Sequence, residues 1–93
     1  MNTVPEILSE IEDERLRKIK ELVSEFGPNW TDGFEPGSLG RHELLDRTNL
    51  VANNLEEYVL EHPACIQNPE WYTLAEQAVT ALRELYQRVG AEH

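Results

Sequence analysis

A single cysteine, Cys65, stands in this chain of 93 residues. One thiol makes neither an internal disulfide nor a cysteine zinc cluster, and the reading is a reducing cytoplasm. Basic residues are also few: eight Lys+Arg face eighteen Asp+Glu, a net charge of −10. Direct nucleic-acid binding and attachment to anionic lipid are therefore disfavoured, because the phosphate term is repulsive. No apolar run approaches the roughly 18 residues of a membrane helix. The first stretch, MNTVPEILSEIEDE, is acidic and lacks the apolar core of a signal peptide, so no membrane partner is expected. Strand-like alternation, internal repeats and low-complexity tracts are missing too. Gly33, Gly37 and Gly40 are scattered and not followed by Lys-Ser/Thr, which excludes a phosphate-binding glycine loop. The histidines stand at 42, 62 and 93, and no orienting group or oxyanion hole at recognisable spacing accompanies Cys65. The expectation is a non-enzyme with no catalytic residues, no cofactor and no metal; His62 and Cys65, two ligands astride Pro63, are too few for a site.

What is present is helical periodicity. Hydrophobic residues make up 40% and charged residues 28%, too apolar for a disordered chain. Thr3-Val4-Pro5-Glu6 is a start signal, with a capping residue, a first-turn proline and a glutamate three residues on. Val4, Ile7/Leu8, Ile11, Leu16, Ile19, Leu22/Val23 and Phe26 then recur at three and four, with an interruption at Arg15, so helix 1 is predicted over about 4–26. Gly27-Pro28 ends it. Residues 27–40 hold four of the five glycines and two of the five prolines, and read as a long loop. Helix 2 is predicted over about 40–61, with Leu44/Leu45, Thr48, Val51/Ala52, Leu55, Tyr58/Val59 and His62 as its apolar stripe and Pro63 as its stop. His62 reads as the last residue of that stripe, near the C-terminal carbonyls. HPACIQNP is a short linker. Asn68 caps helix 3, predicted over about 69–90, with Pro69 in its first position and Gly90 at its end. A short linker makes helices 2 and 3 an antiparallel hairpin. The fold expectation is one all-α domain of three helices over 1–93, with helix 1 joined by the Gly/Pro loop. So small a chain buries only roughly 60–65% of its unfolded surface, and self-association into a homo-oligomer would add to its core.

Polar residues cluster between the leucines of GRHELLDRTNLVANN. At about 100° per residue, His42, Asp46, Asn49 and Asn53 share one side of the helix, nearly opposite the apolar stripe. His42 with Asp46 and Glu43 with Arg47 stand at i,i+4 and can pair. One reading is a solvated face; the other is a contact row of Asp46, Asn49 and Asn53 for a partner. Trp30 and Phe34 are the large apolar groups of the 27–40 loop, either a lid over the core or anchors for a partner. The stretch Arg15-Leu16-Arg17-Lys18-Ile19-Lys20 carries half of all basic charge. It balances neighbouring glutamates through helical pairs, or lines an anion pocket in an assembly. The acidic residues are spread along the chain, with Glu12-Asp13-Glu14 the only run, a weaker pattern than a nucleic-acid mimic would show.

The segments HELLDRTNLV, LEEYVLEHP and NPEWYTLAEQAVTALRELYQRVGAEH, within residues 41–93, resemble a group of short helical-hairpin proteins of phages, prophages and plasmids. The shape also resembles the helical hairpin of phage sponge proteins that sequester cyclic-nucleotide immune messengers, without a shared motif. The resemblance implies a phage-accessory role in the host cytoplasm, with no activity attached. The expected function is counter-defence: inhibition of a host protein, possessing a basic surface, through Trp30, Phe34, Asp46, Asn49 and Asn53. The alternative is an oligomeric sponge in which Arg15, Arg17, Lys18 and Lys20 hold phosphates and Trp30 or Tyr58 stacks a base of a cyclic nucleotide. A structural helical module with no specific ligand is the third reading.

Overall fold

The structure, a computed structural model, describes residues 3–92. Their regular structure is all helical, with turns over 27–38 and no strand among the described residues. Four α-helices and one π turn follow in order: α1 (Val4–Phe26), α2 (Leu39–Leu55), the π turn (Glu56–Leu60), α3 (Pro63–Ile66) and α4 (Pro69–Ala91). The count corrects the expected three helices. The residues read as a linker contain a helical turn of their own, because Pro63 starts it and His62 caps it. The chain divides into two compact units, Met1–Asp32 and Gly33–His93.

In the first unit α1 begins as its sequence signals dictate. The Thr3 hydroxyl accepts the amide of Glu6, and the Glu6 carboxylate accepts the amide of Thr3, a reciprocal capping box. Gly27 closes the helix with φ 85°, and its N–H donates to the Val23 carbonyl at 2.8 Å. No residue of α1 is buried. The unit ends in turns that leave Trp30 half-buried.

The second unit starts with a tight turn. Pro36 pre-sets one central position and Gly37, at φ 82°, takes the left-handed one that a type II turn needs. The Ser38 amide donates to the Glu35 carbonyl at 3.0 Å, and the Ser38 hydroxyl caps α2 by accepting from the Arg41 amide at 3.2 Å. α2 packs on α4, and the contacts run in opposite senses along the two. Arg41 pairs with Glu92 at 3.3 Å, Leu45 lies against Gly90, and Arg83 meets Asn53 and Glu56. Leu60, Ala75 and Val79 form the core cluster, with Leu55 and Cys65 packed on it. Thr48 and Ala52 are buried higher along α2. The Thr48 hydroxyl donates to the Leu44 carbonyl at 2.8 Å, which lets a polar side chain take an apolar position.

The π turn shifts the register of the stripe. Thr48, Ala52 and Leu55 follow α spacing, and its continuation would bury Val59. The wider turn contains one extra residue, and the Glu61 amide donates to the Glu56 carbonyl at 3.0 Å, five residues back. Leu60 therefore enters the core while Tyr58 and Val59 are pushed to the surface. This corrects the sequence reading, which places Tyr58/Val59 in the stripe and carries helix 2 as a regular helix to 61. His62 is corrected as well. Its backbone is extended ahead of Pro63, and its Nδ1 accepts the Ala64 amide at 3.0 Å. It starts the next helix as a hydrogen-bond acceptor and is not the last residue of the α2 stripe.

Candidate functional site

The α2–α4 pair is a single layer with two unlike sides. At about 100° per residue, Ala75, Val79 and Leu82 of α4 point at α2, and most of the exposed apolar residues fall to one flank of that line, with Tyr72 and Tyr86 of α4 and Leu50 of α2 lying off it. On α4 they are Trp71, Leu74, Ala78, Ala81 and Leu85; on α2 they are Leu44 and Val51, continued by Tyr58 and Val59 of the π turn. The helices are antiparallel in contact, so both flanks lie on the same side. The side chains bear this out at the closed end. Tyr58, Val59, Trp71 and Leu74 line one open groove of about 620 Å³, with His62, Ala64, Cys65 and Ala75.

The groove is almost entirely apolar. Trp71 and Tyr58 are its largest walls and are 57% and 65% exposed. Cys65 is a free, half-buried thiol. His62 reaches the same groove with Nδ1 already taken by the Ala64 amide, which places its proton on Nε2. Among the described residues, no three His, Cys, Asp or Glu side chains gather as a metal site would require.

The opposite side is polar. It carries His42, Asp46, Asn49 and Asn53, the row marked out by the sequence. His42 Nε2 and the Asp46 carboxylate are 3.4 Å apart, and Arg47 pairs with Glu43 at 3.1 Å. Asn49 is exposed, and Asn53 accepts a hydrogen bond from Arg83 at 3.4 Å. Asn53, Glu56, Glu57, Glu61 and Arg83 line a small hollow of about 190 Å³. Three carboxylates against one guanidinium leave it negative, and Arg83 is itself paired with Glu56.

Phe34 belongs to this second unit and is 55% exposed. It lies against Gly40 at the start of α2, and the Phe34 carbonyl accepts Arg41 Nε at 3.0 Å. Trp30 belongs to the first unit.

The basic stretch lies on α1 of the first unit, and Tyr58 belongs to the second. Arg15 pairs with Glu12 at 2.6 Å, and Arg17 pairs with both Glu14 and Glu21. The hydrogen bond from Arg15 holds the Glu12 carboxyl below its ordinary range, and that from Arg17 does the same for Glu14. Lys18 and Lys20 are exposed on the same helix. Sequence reasoning missed the groove. Trp71 and Leu74 are visible as apolar positions, but the π turn that turns Tyr58 and Val59 towards them has no sequence signature.

The chain is thus an all-helical protein of two units whose second unit is a one-layer helix pair. Comparison with family models, with curated proteins and with solved structures finds no match to it.

Proposed function

We propose that the chain is a small acidic phage-accessory protein that inhibits a host protein by direct binding in the host cytoplasm, acting as an oligomer of helical hairpins. The observation that carries this reading is the negative hollow of Asn53, Glu56, Glu57 and Glu61 beside the exposed Asp46–Asn49 row. A carboxylate-rich concavity in a chain of net charge −10 suits a lysine or arginine projecting from a basic partner surface. No helix among the described residues is long and apolar enough to cross a membrane. The resemblance of residues 41–93 to phage and prophage hairpin proteins supports the setting, and Trp30 and Phe34 supply aromatic anchors on the flanking segment.

The test is capture from host lysate on the immobilised chain, followed by titration of the recovered protein. A single basic partner is expected, released as salt rises. Glu57→Lys and Asp46→Lys should each weaken it at least tenfold without moving the melting temperature, and Trp30→Ala and Phe34→Ala should weaken it by less. Equal binding by the charge-reversed variants would overturn this reading. So would a cyclic nucleotide that raises the melting temperature, because a tight ligand must stabilise the fold; that outcome favours the sponge built on Arg15, Arg17, Lys18, Lys20 and Tyr58. The pairing of Arg15 and Arg17 with glutamates weighs against it.

A further inference from the structure

We propose that the apolar side of the α2–α4 layer is a self-association surface, on which α4 packs antiparallel against α4 of a second copy about a two-fold axis between Ala78 and Ala81. The argument begins with spacing. Trp71, Leu74, Ala78, Ala81, Leu85 and Arg88 follow one another at 3-4-3-4-3, the alternation of a coiled-coil seam. It is a second seam, separate from the Ala75–Val79–Leu82 line that faces α2. Every member of it is exposed.

The pattern is also nearly its own reverse. Read from either end it runs long, leucine, alanine, alanine, leucine, long. When two such seams meet antiparallel, Ala78 of one copy faces Ala81 of the other, Leu74 faces Leu85, and Trp71 faces Arg88. Small residues at the axis let the helices approach closely. At each end a guanidinium stem can lie over an indole face. This is the self-complementarity that an isologous dimer contact demands. The groove beside Trp71 and Leu74 then receives Leu85 and Arg88 of the second copy.

Area points the same way. The buried apolar residues of the second unit are Ala52, Leu60, Ala75 and Val79, two of them alanines. A single helix layer with one apolar side uncovered has no second layer to complete a core. Exposed side chains on that side present on the order of 700 Å² per copy, close to the ~800 Å² per partner of a stable specific interface. No acidic side chain interrupts the seam itself, in a chain with eighteen of them. Two stacked layers make a four-helix bundle, with the polar Asp46–Asn53 row turned outward. This inference rests on the oligomer named in the proposed function but uses a different side of the layer from the partner-binding hollow, so charge reversal at Asp46 or Glu57 tests partner binding without touching the seam.

The decisive measurement is light scattering on the full native chain across micromolar to submillimolar concentration. The expected mass is twice the chain's 10.7 kDa. Ala78→Glu and Ala81→Glu place a charge at the axis on exposed helix positions and should shift the dimer midpoint by at least a hundredfold, with helicity by circular dichroism retained in the monomer. Trp71→Ala should weaken the dimer about tenfold. Asn49→Glu, on the polar side, should leave it unchanged. A native monomer throughout the range overturns the proposal and assigns the face to another occupant. A dimer indifferent to Ala78→Glu, or a mass above two copies, overturns the α4 seam as the contact.

Discussion

The two units of this chain are held in different ways. α1 is a helix maintained by its own near neighbours: a capping box at Thr3–Glu6, a glycine cap at Gly27, and ion pairs from Arg15 and Arg17 to glutamates one turn away. None of its side chains is buried. The α2–α4 layer has caps of the same kind at Ser38 and Asn68, but it also has a core. Propensity and capping make a helix; burial makes it resist perturbation, since most helical stability in proteins comes from a packed face. An identical truncation should therefore have very different consequences in the two units. Leu60→Ala removes a core side chain that is 8% exposed, and the expected loss is roughly 2–5 kcal/mol, enough to unfold so small a unit. Ile11→Ala, at 60% exposure, should change stability by no more than about 0.5 kcal/mol. Urea titration of both variants, followed by circular dichroism, measures the contrast. Equal losses would show that α1 is as deeply packed as the layer.

A second test sharpens the contrast at the start of α2. A Cβ added at Gly40 would lie 2.5 Å from the Gly33 carbonyl oxygen and 2.7 Å from Phe34 Cε1. Backbone on one side and an aromatic ring on the other leave it no room, and Gly40→Ala should cost about 1–3 kcal/mol as overpacking. At Gly90 the nearest atom to such a Cβ is Leu45 Cδ1 at 3.7 Å, ordinary contact. Gly90→Ala should be neutral or stabilising by up to about 1 kcal/mol, because alanine is the better helix former. Removing the ring with Phe34→Ala should restore only part of the Gly40→Ala loss, since the Gly33 carbonyl remains. A neutral Gly40→Ala would mean that the Phe34 turn does not hold the position described. Phe34 would then be free to act as an anchor without a role in the fold.

The helical class, both ends of α1 and the start of α4 were legible in the residues. Thr3, Gly27 and Asn68 each act as their place in the sequence predicts. Two things were not legible. The π turn depends on the tertiary demand that Leu60 reach Ala75 and Val79, a contact between segments far apart in sequence. Its consequence, the exposure of Tyr58 and Val59, follows from that single inserted residue. The paired apolar positions of α4, Leu74/Ala75, Ala78/Val79, Ala81/Leu82 and Leu85/Tyr86, were visible as a broad stripe. Periodicity alone cannot tell that one member of a pair meets α2 while the other is left uncovered, because a helix with two neighbours and a helix with one wide neighbour give the same pattern. The polar row was legible as a side of α2, but the negative hollow was not, since Arg83 and Asn53 come from helices thirty positions apart.

The smallest expected effect lies on α1 and separates its local interactions from burial. Glu12 and Glu14 have their carboxyls held below the ordinary value of 4.5 by hydrogen bonds from Arg15 and Arg17. A carboxyl with a lowered folded pKa stabilises the fold above its unfolded pKa, and that contribution is lost as pH falls through the folded value. The helicity of α1 should therefore fall on acidification below about pH 4.5, by an amount screened by solvent at these exposed sites. Carboxyl carbon chemical shifts against pH read the effect residue by residue. Arg15→Gln should return Glu12 to its ordinary titration and leave Glu14 shifted. Molar salt should move both towards the ordinary value, because exposed pairs are screened. A Glu12 that stays lowered in Arg15→Gln would mean that its neighbour one turn on does not set its titration, because burial acts in the opposite direction, and the account of α1 as a helix held by its own ion pairs would no longer stand.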